Sequence, residues 1–225
     1  MTLRGRGPFV FVDDLDAPQL SEADRHHLSR SLRVRDGDPM VVSDGRGRWR
    51  SARFGNDIAL EGAVEEEPSV EPPITVVFAP VKGDRPEWLV QKLTEIGVDR
   101  IVPMVAARSV VRWEGDRAGS AVDRLRRVAR EASMQSRRPR LPTIEAPVTF
   151  EAAVRWPGAC LTTPGGRPPA LSHPVVLVGP EGGWTEEELA AAPTHTSLGR
   201  QVLRAETAGL VAASLLSALR DRLLE

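Results

Sequence analysis

The sequence predicts a mixed α/β protein, with a small β-rich module followed by a larger α/β domain built on a mainly parallel sheet. Three observations carry this. From residue 74 onward, short β-branched runs alternate with segments of helical period, the pattern of strand–helix–strand units. Before residue 67, several short strand signals crowd around a single helix. Between the two lies EEEPSVEPP at 65–73, a charged, proline-rich run without periodicity, which reads as a linker separating residues 1–70 from 71–225.

In chain order, PFVFV at 8–12 reads as a strand. Residues 21–32 read as a short helix, with Ser21 as N-cap and Asp24 three residues on. A turn at 35–38 precedes a strand at 40–43. Asp44-Gly45 signals a hairpin, a return strand covers 46–54, and a short strand covers 58–60. One helix with several short strands indicates a small barrel. In the second part, 74–79 is a strand and 86–96 a helix, with Pro86 near its first position and Gly97 just past its end. Strands follow at 100–105, near 159–162 and at 175–178. Helices follow at about 123–135 and 207–224. Leu125, Val128, Ala129 and Ala132 share one face of the first of these, and Arg124, Arg126, Arg127 and Arg130 the other.

The composition, 41% hydrophobic and 27% charged, is that of an ordinary globular chain. There is no apolar run of about 18 residues and no charged-then-apolar start, so no membrane span or secretion signal is expected. Cys160 is the single cysteine. It excludes an internal disulfide, points to a reducing, cytoplasmic setting, and reads as a buried strand residue rather than a nucleophile.

The net charge of −1 excludes a generic nucleic-acid binder, but the distribution is uneven. Only Lys82 and Lys92 are lysines. GC-rich codons account for the overall arginine bias, but not for eight arginines between Arg117 and Arg140 against Asp123 and Glu131. That patch runs from a helix face into the loop QSRRPR at 135–140, which makes it a better RNA-contact candidate than a helix face alone. In the first module the arginines and His26 and His27 read equally well as a solvated face or an RNA surface, with Trp49 offering a stacking plane. The histidines have no partner at metal-ligand spacing, and no metal site is expected.

The most informative stretch is 175–207. A buried strand runs into GPEGG at 179–183 and then into TEEE, a capping box with Thr185 as N-cap and Glu188 at the third helical position. A second loop, LGRQVLR at 198–204, leads into the last helix. Glycines let a backbone approach a ligand closely, and helix N-termini offer free N–H groups. Neither the dinucleotide nor the P-loop fingerprint is present. Nor is there a nucleophile elbow or a zinc-protease motif.

GPEGGWTEEE followed by LGRQVLRAETAGL resembles the bacterial 16S ribosomal RNA uridine-N3-methyltransferase family, of the SPOUT class. HLSRSLR at 27–33, KGDRPEWLVQKLTEIG at 82–97, Arg108-Ser109 and EASMQSR at 131–137 extend the resemblance over nearly the whole chain. It implies a PUA-like β-barrel followed by a SPOUT α/β domain with a trefoil knot, S-adenosylmethionine as methyl donor, a homodimer, and 16S ribosomal RNA of the small subunit as partner. The cofactor loops it implies hold Leu161, Thr162 and Thr163; Val178, Gly179, Pro180, Glu181, Gly182 and Gly183; and Leu198, Gly199, Val202, Leu203 and Arg204. Arg204 would orient the uracil, and Glu206 or Glu181 would take its proton; the alternative for Arg204 and Glu206 is a local ion pair that fixes the loop. RNA contacts would come from Arg4, Arg6, His27, Arg30, Arg33, Arg35, Arg108, Arg137 and Arg138. The small residues after Glu206 fit close helix packing at the knot or across a dimer. Three departures stand out: Arg200-Gln201 replaces a proline-arginine pair, Trp184 stands where Leu or Phe is common, and the basic-aromatic start is displaced behind Pro8. The same scaffold could serve another RNA target or atom, and the same basic surfaces a non-catalytic assembly factor.

Overall fold

The computed structural model describes residues 7–224, which fall into two compact units: residues up to Ser69 with Arg130–Leu141, and Val70–Ala129 with Pro142 onward. Arg4 and Arg6 lie outside the described residues.

The first unit carries β1 (Phe9–Phe11), α1 (Glu22–His26), one wide π-helical turn (His27–Ser31), β2 (Pro39–Ser43), β3 (Arg48–Arg53) and β4 (Ala59–Glu66). They form a four-stranded sheet in the order β1-β2-β3-β4, with β1 parallel to β2 and the rest antiparallel. Ser21 caps α1 by accepting from the Asp24 N–H at 3.0 Å. Side chains alternate along a strand, and β1 and β2 bury residues on both faces of the sheet while β4 is largely exposed. Val10, Met40, Val42 and Ala52 pack with Leu28 on one face, while Phe9, Phe11, Val41 and Trp49 take the other.

Met134 and Leu141, from the Arg130–Leu141 segment, cover that second face. Trp49 is therefore 4% exposed and offers no stacking plane, correcting the expectation from sequence. Its alternation with Arg48 and Arg50 puts the indole inward and the guanidinia outward. The last strand is longer than its sequence indicates, because Glu65 and Glu66 sit opposite Trp49 and Arg48 in the ladder. The linker signal thus begins inside β4, where cross-strand pairing gives charged residues a place in a strand.

The second unit comprises β5 (Thr75–Phe78), α2 (Arg85–Ile96), β6 (Arg100–Val105), most of α3 (Asp116–Ser136), β7 (Thr143–Ile144), β8 (Val148–Thr149), α4 (Phe150–Ala153), β9 (Ala159–Arg167), β10 (Val175–Val178), α5 (Glu186–Ala191), β11 (His195–Thr196) and α6 (Ala205–Arg220). The parallel sheet has the order β11-β9-β10-β5-β6-β7, with β8 also on β6. Its central strands β10 and β5 are buried throughout and almost entirely apolar, as expected when helices cover both faces. Val76, Phe78 and Val176 meet α2, α3 and α6 through Leu93, Leu125 and Leu216. Val77, Met104 and Leu177 meet Phe150 and Ala153 of α4 on the other side.

Gly97 ends α2 at φ 102°, a left-handed cap that glycine adopts without steric cost. Helix α3 starts seven residues before the sequence signal, across Gly119, which weakens the periodicity there. Strand β9 runs on through Pro164-Gly165-Gly166, residues that signal a break; a Cβ on Gly166 would lie 2.7 Å from the Thr196 backbone, so glycine is what lets β11 pair there. The small residues of α6 pack inside this unit. Gly209 lies against Leu89 of α2, Ala212 and Ala213 are fully buried, and Arg220 ties the helix end to Asp99 and the Gly97 carbonyl.

Candidate active site

Strand β10 lies between β9 and β5, and the direction in which the chain builds the sheet reverses there. Ligands of open α/β sheets bind at the carboxyl edge of such a reversal. All four residues of β10 are buried, so the GPEGG loop leaves the core at that edge. Gly183, at φ 70°, closes the turn by donating to the Pro180 carbonyl at 2.8 Å. The chain then folds back. The Trp184 indole N–H donates to the Thr162 carbonyl at 3.0 Å, and its ring packs on Phe150 at 5.4 Å between centroids. A Cβ on Gly179 would sit 2.8 Å from that indole, so glycine is what lets the ring cover the loop.

Two further side chains hold the loop. Thr185 and Glu188 form the capping box expected from sequence, worth about 0.5–2 kcal/mol at the N-cap. Glu188 is 6% exposed, and its second oxygen accepts from the Ala107 N–H at 2.8 Å, which joins α5 to the loop after β6. From that loop Arg108 donates to the carbonyls of Gly182 and Trp184, both at 3.0 Å. Arg108, expected on RNA, is thus engaged with the glycine loop.

A cleft of about 160 Å³ is lined by Thr162, Thr163 and Pro164 on one side and residues 197–203 with Ala208 on the other. It unites two of the three expected cofactor segments. Leu161 and Val178 are core residues with no exposed surface to speak of. Thr162 donates its hydroxyl to the Leu177 carbonyl, and Thr163 pairs with His195 Nδ1. Both hydroxyls are therefore engaged within the protein, and the Thr162 carbonyl is taken by Trp184. The third segment borders a separate hollow of about 130 Å³, which includes Pro180 and Glu181.

The two candidate proton acceptors meet through a residue to which sequence reasoning assigned no role. Arg85, at the start of α2, donates from Nη1 to Glu181 Oε1 at 2.6 Å and lies 3.7 Å from Glu206 Oε1. The Glu181 hydrogen bond raises the Arg85 guanidinium above its ordinary value. No ion pair joins Arg204 to Glu206 among the described residues; Arg204 is exposed and Glu206 faces Arg85. The only sequence signal for Arg85 was its place inside KGDRPEW.

In the first unit His27, Arg30, Arg33 and Arg35 are exposed on the π-helical turn and the loop after it. Arg33 holds φ 54° and Arg137 φ 58°, left-handed values uncommon outside glycine. Arg137 and Arg138 are half-buried. Most other arginines of this unit are engaged: Arg25 with the Gly55 and Asn56 carbonyls, Arg48 with Asp44, Arg53 with Glu61, and Arg130 with Asp24. Among the described residues no helix is long and apolar enough to cross a membrane, and no cluster of three or more His, Cys, Asp or Glu could hold a metal ion.

Comparison with known proteins agrees with this geometry. The RNA methyltransferase domain family matches residues 68–217. Ribosomal RNA small subunit methyltransferase E of Synechocystis is 32% identical over 90% of this chain and 73% of its own. The enzyme of the same name from Mycobacterium bovis is 31% identical, over 87% and 84% respectively. The crystal structure of ribosomal RNA small subunit methyltransferase E from Neisseria gonorrhoeae bound to S-adenosylmethionine superposes with a TM-score of 0.82 at 28% identity, covering 94% of this chain and 97% of that one. With a family model matched over two thirds of its length and a relative 32% identical over 90% of it, the chain belongs to the ribosomal RNA small subunit methyltransferase E family.

Proposed function

We propose that this protein transfers the methyl group of S-adenosylmethionine to N3 of one uridine in 16S ribosomal RNA of the small subunit. The observation that carries the reading is the cleft between residues 162–164 and 197–203, at the edge of a sheet shared with a relative that binds this cofactor. The residues present fit it. Leu198, Val202, Leu203 and Pro164 supply apolar walls for a flat heterocycle. Gly199, at φ 138° with nothing within 4 Å of a built Cβ, leaves its main chain open to one. When bound, the cofactor supplies an electrophilic sulfonium methyl.

The chain's own part is to hold the acceptor in line and take its proton, since positioning alone can supply much of such a rate. Uracil N3 lies on the pairing edge, so the target base must be unpaired or flipped out. Arg204 precedes the first turn of α6 with its guanidinium exposed and no partner among the described residues. That suits it to orient the base and to stabilise charge developing on the carbonyl oxygens.

In this reading residues 1–70 form a PUA-like RNA-binding barrel and 71–225 a SPOUT domain whose cofactor loops are knotted. The strand order supports the knot: the chain leaves β9 for β10 on its inner side and returns to β11 on its outer side. In this reading the protein works in the cytoplasm as a homodimer, and Val202, 93% exposed on the cleft rim, is an apolar side chain available to a second copy.

The test uses purified protein, labelled S-adenosylmethionine and small subunits from a strain lacking the modification, with digested nucleosides identified by mass spectrometry. Formation of 3-methyluridine is expected. A methylated ribose would move the target, and RNA binding without methylation would make the protein an assembly factor.

A further inference from the structure

The hollow that borders Pro180 and Glu181 has the size of a single ring. It lies where the loops after β5, β6 and β10 meet, with walls from Val81, Val110, Val111 and Pro180 and two charged groups, Lys82 and Glu181. Its volume is about 130 Å³. An apolar protein cavity of about 150 Å³ takes up benzene, so this space is on the scale of one six-membered heterocycle. The cofactor cleft begins at Thr162, just past Leu161, where β9 stops pairing with β10, and the hollow opens at the ends of β10 and β5. Neighbouring strands are about 4.8 Å apart, which puts the two sites within roughly two strand spacings.

From this geometry, and resting on the methyl-transfer reading above, we infer that the hollow is the acceptor-base pocket, in which Glu181 takes the N3 proton and Lys82 meets a ring carbonyl. Exposure and available space favour Glu181 over Glu206. Glu181 borders the hollow with its side chain 53% exposed. Its Oε1 is held by Arg85 at 2.6 Å, which leaves Oε2 without a partner among the described residues. Glu206 Oε2 is also without a partner among the described residues, but it is fully buried on a side chain only 11% exposed. The space before it, among Phe78, Arg85, Leu89 and Ala205, is only about 10 Å³, too small for a nucleobase.

Arg85 is then a positioning residue: its guanidinium fixes the rotamer of the carboxylate and touches no substrate. Lys82 is exposed; its carbonyl accepts from Arg85 Nε at 3.2 Å, while its ammonium has no partner among the described residues. In a chain that uses arginine for all but two of its thirty basic positions, this is a distinctive residue. A compact ammonium suits one carbonyl oxygen, where a guanidinium fork suits two.

In the step itself the N3–H bond breaks and its proton passes to Glu181 Oε2. The nitrogen electron pair forms the new N–CH₃ bond. The S–CH₃ bond breaks with its pair left on sulfur, so the sulfonium becomes a neutral thioether and the carboxylate a neutral acid. An imide N–H is a weaker acid than a carboxylic acid, so transfer of the proton alone is uphill and is drawn forward by formation of the N–CH₃ bond.

The test compares wild type, Glu181→Gln, Glu206→Gln, Arg85→Lys and Lys82→Met in the 3-methyluridine assay across pH, with S-adenosylmethionine affinity measured by calorimetry. Glu181→Gln should lower kcat by about 10²-fold or more, the usual worth of a general base. It should also abolish the acid limb of the pH–rate profile and leave cofactor affinity within about twofold. Glu206→Gln should retain the acid limb, Arg85→Lys should shift it while preserving part of kcat, and Lys82→Met should lower kcat more than it raises KM. An active wild type whose acid limb survives in Glu181→Gln, or is lost in Glu206→Gln instead, overturns the assignment. A wild type that makes no 3-methyluridine overturns the underlying function instead.

Discussion

Trp184 and Thr162 are joined by a 3.0 Å hydrogen bond from the indole N–H to the strand carbonyl, and this one contact closes the GPEGG loop onto β9. The place usually held by Leu or Phe is therefore filled here by a side chain with a donor at its tip. Replacing Trp184 with Phe should leave the Thr162 carbonyl unpaired and cost about 1–2 kcal/mol, together with a loss of cofactor affinity. Gly179→Ala should cost about 1–3 kcal/mol by overpacking against the ring. In a Trp184→Leu background the same alanine should be nearly neutral. Thermal unfolding of the four proteins tests this coupling, and additive losses would sink it.

Arg108 is bound to the loop through two carbonyls, and a Cβ on Gly182 would lie 3.2 Å from its own Cβ. Arg108→Ala should thus weaken S-adenosylmethionine binding several-fold while the salt dependence of RNA affinity stays the same. Calorimetry and filter binding separate the two. A reduced salt slope with unchanged cofactor affinity would return Arg108 to the RNA surface.

Within the first unit Arg130 grips both oxygens of Asp24, at 2.9 and 2.8 Å, and donates to the Phe11 carbonyl. Burial raises the Asp24 carboxyl, but the hydrogen bonds from Arg130 and Ser21 outweigh it and hold the group below its ordinary value. A depressed carboxylate stabilises the fold above the unfolded-state value of about 3.9 and loses that contribution as pH falls through the folded value. Arg130 is 34% exposed, which screens the pair. Asp24→Asn should accordingly cost about 1–2 kcal/mol near neutral pH. The gap to wild type should shrink below about pH 4, as thermal melts at a series of pH values will show.

Arg33 and Arg35 follow the π-helical turn, exposed and with free guanidinia among the described residues. Arg33→Glu with Arg35→Glu should lower RNA affinity and flatten its dependence on log salt by roughly 0.7–0.9 for each phosphate no longer neutralised. An unchanged slope at low salt would remove this loop from the RNA surface. Arg33→Gly is the control, since glycine accepts φ 54° and should not lower the melting temperature.

Where a property lives in local chemistry, the chain order already contained it. The capping box of Thr185 and Glu188, the Gly97 cap, the buried strand around Cys160 and the run from Val175 into GPEGG all depend on residues within a few positions of one another. They appear in the structure as read. Burial alone pushes the Cys160 thiol up to about 12, as expected of a core residue rather than a nucleophile. The two-residue strands β7, β8 and β11 are too short to show a period, and α3 and β9 run through glycines that mask one.

What only the packed chain decided is which side chains are free. Trp49 and Arg130 look like surface groups in the sequence, but one is covered by Met134 and Leu141 and the other is spent on Asp24. Glu181 and Glu206 are equivalent on paper, and Arg85 lies about a hundred residues before either. Burial, hydrogen-bond partners and the shape of a hollow come from segments far apart in the chain, because a sheet brings strand ends together in an order unrelated to their order in sequence.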